Sequence, residues 1–133
     1  MLRATGSGEQ FPEPHFRRFC GAAVEALSAC GLAGVRMRGV SDLCLGERKI
    51  AGSSLRLACG RVLFQISVLV APDLALFERY LRHPSREPEY RRGRSHREFV
   101  TSLREAGFAV TVDEVVSALR ARLERETAPR CNP

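Results

Sequence analysis

Lysine is nearly absent from this chain: of 21 basic residues, 20 are arginine and Lys49 is the one lysine. Tryptophan is missing and no two glycines are adjacent. No GxSxG, HExxH, P-loop or GxGxxG pattern occurs, which removes the usual signatures of serine hydrolases, zinc peptidases and dinucleotide- or triphosphate-binding loops. The five cysteines (Cys20, Cys30, Cys44, Cys59 and Cys131) form no CxxC pair and no Cys/His spacing of the zinc type. No metal site is therefore expected, and mostly buried free thiols in a reducing compartment are. His15, His83 and His96 fall in loops or helix starts, away from any serine or cysteine placed as a nucleophile. The longest apolar run, 62–71, is interrupted by Gln65 and Ser67 and is far short of the ~20 residues a membrane-spanning helix needs. The opening MLRATGSGEQ carries no apolar h-region, so no secretory signal is legible and a cytoplasmic location is expected.

What is present is an ordinary globular composition. The 133 residues are 44% hydrophobic and 27% charged, enough for one core. A net charge of +6 favours acidic partners: nucleic acid, nucleotide phosphates or acidic protein surfaces.

Periodicity predicts the elements. Residues 1–12 read as a loose lead-in. Phe16, Phe19, Cys20, Ala23, Val24 and Leu27 form one helical stripe over about 14–30, opened by Pro14 and closed by Gly31. Strand-like pieces follow at 35–39, 42–45, 49–51 and 55–58, with Gly46–Glu47 and Gly52–Ser53 as hairpin joints. The stretch 61–70 reads as the strongest strand, with Phe64, Ile66, Val68 and Val70 on one face and Leu63, Gln65, Ser67 and Leu69 on the other. Two polar groups on that second face indicate either a ligand or wet cavity there, or groups that satisfy each other or the backbone. Helices are expected at 73–82, 96–106 and 112–126, the last capped by Thr111 and Glu114. Between them lie a loop at 83–95 and a short strand at 108–110, and the tail from Thr127 is expected to fray. Helix, then strands, then helices describes an α+β domain.

Chemistry concentrates in the segment 39–54, GVSDLCLGERKIAGSS. An arginine-rich chain that keeps one lysine can be keeping it where a planar, permanently charged guanidinium does not substitute. A surface hairpin lysine with no further role gives the same count. Gly52, Ser53 and Ser54 follow at once, and as a small-residue turn they would offer backbone N–H groups and two hydroxyls to an anionic or carbonyl oxygen. Asp42 can pair with Lys49 or orient it; a plain turn residue is the simpler role.

These residues resemble the lipoate–protein ligases of the biotin/lipoyl-ligase superfamily. Their pattern, (D)L-x-x-x-x-(R/K)-K-I-(A/S)-G-(S/N) followed by a strand and a D-L-x-x-(F/M) helix, runs here through Asp42-Leu43, Arg48-Lys49-Ile50-Ala51-Gly52-Ser53 and Asp73-Leu74-Ala75-Leu76-Phe77. The stretch 86–103, REPEYRRGRSHREFVTSL, is similar to the matching loop and helix of one bacterial branch, and the collinear similarity covers about 13–126. The resemblance implies a mixed or antiparallel sheet flanked by helices. It also implies ATP- and Mg²⁺-dependent activation of lipoate to lipoyl-adenylate, then transfer to a lysine of an acidic lipoyl acceptor domain. Lys49 matches the lysine that contacts the lipoate carboxyl and adenylate, with Gly52, Ser53, Ser54, Asp42 and Gln65 as the surrounding binding residues.

Relatives resemble one another over about twice this length. The resemblance therefore implies a domain incomplete on its N-terminal side and inactive by itself, lacking the half that carries the Arg-Arg and Gly-Gly-Gly segment. A split ligase completed by a separate polypeptide and a truncated reading frame fit this equally, and a degenerate, non-catalytic binding module is the third alternative. Ile66 stands where many relatives have a glycine, and would fill space open to an acyl chain. A thiol-relay octanoyltransferase would need a carrier cysteine; Cys44 is nearest, though plain packing accounts for it. A nucleic-acid reading would rest on Arg82, Arg86, Arg91, Arg92, Arg94 and Arg97. Glu87, Glu89 and Glu98 interrupt that patch, and Tyr90 is its one stacking ring. The same arginines could instead steer an acidic acceptor domain, or form a solvated loop.

Overall fold

The computed structural model describes residues 2–3, 12–59 and 61–127. Helix α1 (Pro12–Ala29) begins two residues before the expected start, because Pro12 and Pro14 both fit a first turn, where a missing N–H costs nothing. Its apolar stripe buries Phe19, Cys20, Ala23 and Leu27. Gly31, at φ 85°, closes it, and the Leu32 N–H returns to the Leu27 carbonyl, a left-handed termination that suits glycine.

The strands are β1 (Leu2–Arg3), β2 (Val35–Arg38), β3 (Asp42–Leu45), β4 (Arg48–Ala58) and β5 (Arg61–Val68). They form one sheet in the order β1-β5-β4-β3-β2, with every pairing antiparallel. Two expectations change here. Residues 2–3, expected in a loose lead-in, pair with Val62 and Arg61. Gly52–Ser53 is no hairpin joint: β4 runs straight through it, with Gly52 opposite Asp42 on one side and Ser67 on the other. Small polar residues read locally as a turn, but ladders on both sides hold this segment extended.

One face of the sheet receives α1, and α4 (Val112–Thr127) packs on α1. The core between them joins Leu27, Leu32, Leu43, Ile50, Ala51, Leu103 and Val115. Arg18 and Arg122 tie the two helices by ion pairs to Glu126 and Glu25. After β5 come the short α2 (Ala75–Tyr80), a 3₁₀ turn (Glu89–Arg91) and α3 (His96–Phe99). The helix expected to 106 stops at Phe99, because Val100 and Thr101 are drawn into the sheet beside Lys49. Residues 108–110 form no strand. The capping box expected at α4 is present, with Thr111 and Glu114 bonding each other's backbone N–H. The tail expected to fray falls outside the described residues beyond Thr127, which is the last residue of α4.

Candidate functional site

Strand alternation sorts the site residues. On the face turned from α1, β4 presents Gly52, Ser54 and Arg56, and β5 presents Leu63, Gln65 and Ser67, as their cross-strand pairing requires. Ser54, Gln65 and Ser67 are exposed. The opposite face carries Ser53, Leu55, Phe64, Ile66 and Val68, and the last three pack on the core.

Lys49, three residues before Gly52, would fall on the α1 face in an unbroken strand. A β-bulge prevents this. The register shifts between Leu43 and Cys44, so Asp42 pairs with Gly52 but Cys44 with Lys49. Ile50 is the additional residue, and Ile50 and Ala51 are both buried in succession. Bulges re-aim side chains in this way. Lys49 therefore joins Asp42, Cys44 and Gly52 on the open face, where Nζ lies 2.6 Å from Asp42 Oδ1. Gly52 is the floor of this contact: a Cβ there would stand 3.0 Å from Nζ and 3.1 Å from Cε.

Asp42 has a second partner. The Tyr90 hydroxyl, from the 3₁₀ turn, donates to Oδ2 at 2.7 Å, and the Cys44 thiol donates to the Tyr90 oxygen at 3.5 Å. The Tyr90 ring lies against Phe99, with centroids 5.3 Å apart, and beneath the Arg38 guanidinium at 5.0 Å. Burial, then the bonds to Cys44 and Asp42, push the Tyr90 phenol far above its ordinary value, so it stays a donor. Burial also pushes the Cys44 thiol up against its bond to Tyr90. A fully buried, protonated sulfur is poorly suited to carry an acyl group.

Lys49, Asp42 and Gly52 are thus one cluster. Ser54 and Gln65 share its face one repeat further along the strands, their side chains 3.5 Å apart. Ser53 is not brought to it. Its hydroxyl donates to the Ser41 carbonyl at 2.8 Å and touches Cys20 of α1 at 3.3 Å, and its N–H is used by Ser41. The small-residue anion turn expected at 52–54 is a strand interior. Ile66 likewise faces the core and takes no space beside Lys49. Tyr90 is engaged by Asp42 and Arg38 and is not a free stacking ring. Sequence reasoning missed its role, since 48 residues separate it from Asp42; the one signal was a lone aromatic in an arginine-rich loop. That loop is built rather than merely solvated: Arg91 is buried against Phe99, and Arg94 bonds the Tyr90 and Glu47 carbonyls.

Free cysteines among the described residues are Cys20, Cys30, Cys44 and Cys59, of which Cys20 and Cys44 are buried. Among those residues no group of three metal-ligating side chains converges, and no helix is long and apolar enough to cross a membrane.

Chemically, the cluster is an ammonium with one proton committed to a carboxylate and its remaining donors available to the open, polar face. Such a group binds a phosphate or carboxylate and stabilises charge growing on its oxygen.

The sequence comparisons match lipoyl protein ligases. The sequence model of the lipoyl protein ligase A/B catalytic domain matches residues 5–124. A curated lipoate–protein ligase from Streptococcus pyogenes is 34% identical over 90 residues, covering 68% of this chain and 26% of that protein. A solved bi-partite lipoate protein ligase from Thermoplasma acidophilum, studied with its E2 lipoyl domain, superposes with a TM-score of 0.73 at 28% identity, over 90% of this chain and 47% of its own. A lipoate-protein ligase A solved with ATP gives 0.69 at 26% identity, over the same 90% and 47%. The chain therefore spans 26% of the curated relative and 47% of each of these solved chains. It belongs to the lipoyl protein ligase A/B catalytic-domain family.

Proposed function

We propose that this chain supplies the Lys49 face of a lipoate–protein ligase active site. The observation that carries the reading is the position of the one lysine. It lies in the family's motif, is turned by a bulge onto the open polar face and is held there by Asp42.

The reaction has two balanced steps. The lipoate carboxylate attacks the α-phosphate of ATP, forming the mixed anhydride and releasing pyrophosphate. The ε-amine of an acceptor lysine then attacks the acyl carbon, forming the amide, releasing AMP and losing a proton. Lys49 would contact the carboxyl and phosphate oxygens on which charge develops, and so act as an electrostatic stabiliser. The relative solved with ATP supports the nucleotide part of this reading. Mg²⁺ would arrive as the ion of ATP's phosphates. Ser54 and Gln65 would border the bound substrate on the same face, with Gly52 beneath Lys49.

A second polypeptide would complete the site. On its outer side β5 pairs only at Arg61 and Val62 among the described residues, so the main chain of 63–68 can accept a further strand. The acceptor would be a lipoyl domain, the kind of partner named for the bi-partite relative; an acidic one would be steered by the arginines of 82–97. A cytoplasmic location accords with this reading.

The test is reconstitution. This chain, an N-terminal ligase half bearing the Gly-Gly-Gly segment, lipoate, ATP, Mg²⁺ and a lipoyl domain should give lipoylated acceptor by mass spectrometry. Replacing Lys49 with Ala should lower the rate about a hundred- to a thousandfold. Ligation at the parent rate by Lys49→Ala would remove the chemistry from this motif. Binding of the partner half and lipoate without turnover would instead identify a non-catalytic module.

A further inference from the structure

We propose that Tyr90 is a positioning residue for Lys49, acting through Asp42, so that the 82–95 segment sets the direction in which the ammonium points. The inference rests on the reading above only in taking Lys49 as the working group.

The geometry is a chain of single contacts. Asp42 gives one oxygen to Lys49 at 2.6 Å and the other to the Tyr90 hydroxyl at 2.7 Å. A carboxylate on its own turns readily about its last torsion, which is broad and two-fold. With both oxygens engaged, that rotation breaks a bond to Tyr90. The lysine needs such a stop, because the end of its flexible four-carbon stem lies over Gly52, which has no side chain to brace it. Asp42 side-chain exposure is 11% and that of Lys49 is 28%, so water competes at Lys49 more than at the carboxylate.

Tyr90 is itself fixed from three sides. Its ring is held between Phe99 and Arg38, and Arg38 is anchored by two bonds to Glu47. Its carbonyl accepts from Arg94, which also grips the Glu47 carbonyl in the β3–β4 hairpin. The hydroxyl's single proton goes to Asp42, while its oxygen accepts from the Cys44 thiol. Donation therefore runs one way, from Cys44 through Tyr90 to the carboxylate, and bonds arranged in series reinforce one another. The burial that keeps the phenol protonated keeps this direction fixed.

Because Lys49 is the one lysine, a chain labelled with [¹³Cε]lysine gives one methylene signal. In the parent, the two Hε protons should be inequivalent and their order parameter high. Tyr90→Phe keeps the ring and removes the hydroxyl, and should collapse the two Hε shifts toward a single averaged value. Asp42→Asn should do the same, and adding Tyr90→Phe to it should change nothing further. Parent-like Hε shifts in Tyr90→Phe, or additive effects in the double variant, would overturn the proposal, as would an unchanged signal in Asp42→Asn. Circular dichroism checks that each variant folds. Should Tyr90→Phe not fold, Arg38→Gln loosens the ring from its exposed side and must move the Hε shifts in the same direction. The measurement needs no lipoate, ATP or acceptor, so its failure is distinct from a failure of ligation.

Discussion

The two faces of the sheet use the same strands for opposite ends. Toward α1, the side chains of Leu43, Ile50 and Ala51 are fully or almost fully buried and touch many apolar neighbours. Toward the open side, Asp42, Lys49, Gly52 and Tyr90 make few contacts, each of them specific. Burial on the first face stabilises through summed area, which no single direction controls. The second contributes little area and depends on the aim of one ammonium. Changes on the first face should therefore be read as stability, and changes on the second as activity at unchanged stability.

The largest effect is expected on the core face. Leu43→Ala removes a fully buried side chain and should cost about 2–5 kcal/mol of stability, measured by denaturant unfolding. A loss below about 1 kcal/mol would mean that this face repacks freely. On the open face, Lys49→Arg keeps the charge and loses the compact geometry. It should lower ligation about a hundredfold or more in the reconstituted enzyme, with a melting temperature close to the parent's. An active Lys49→Arg would show that charge alone suffices. Gly52→Ala sharpens the contrast, because the new Cβ meets the far end of the flexible lysine at 3.0–3.1 Å and Asp42 Oδ1 only at ordinary contact distance, 3.7 Å. The fold should persist while Lys49 shifts by a few tenths of an ångström, and a displacement of that kind should lower the rate by about tenfold. The smallest effect belongs to neither face. The Glu114 carboxylate is held below its ordinary 4.5 by the Thr111 backbone N–H and then by the Thr111 hydroxyl. A depressed folded-state value stabilises above the unfolded value and is lost as pH falls through the folded one. Glu114→Gln should therefore lower the melting temperature slightly at about pH 7, and the difference should shrink steadily as the pH is taken below the ordinary carboxylate range.

Much of the first face, and of the helices that cover it, was legible from local pattern. The stripe from Phe16 to Leu27, the alternation of 61–68 and the Thr111/Glu114 box each depend on neighbours within a few residues. So does the motif around Lys49, whose identity stands out against 20 arginines. On the second face Asp42, Lys49 and Gly52 were legible, while Tyr90 and the arrangement of all four were not. Gly52–Ser53 passed for a turn because glycine and serine favour turns locally, and only pairing with both β3 and β5 shows a strand interior. Ser53 joins the expected site by its place next to Gly52 and Ile66 is expected to fill acyl space by its place in the family pattern, and the pleat turns both to the core.

Sequence by itself determined that this is an α+β chain with one exceptional lysine in a ligase-like motif, because composition, period and motif are properties of short stretches. Tertiary structure decided which way that lysine points. The Leu43/Cys44 register shift rotates Lys49 onto the face of Asp42, and Tyr90 reaches the same carboxylate from 48 residues away. Register and long-range side-chain bonds follow from how whole strands and loops satisfy their hydrogen bonds together, and no local window contains that condition.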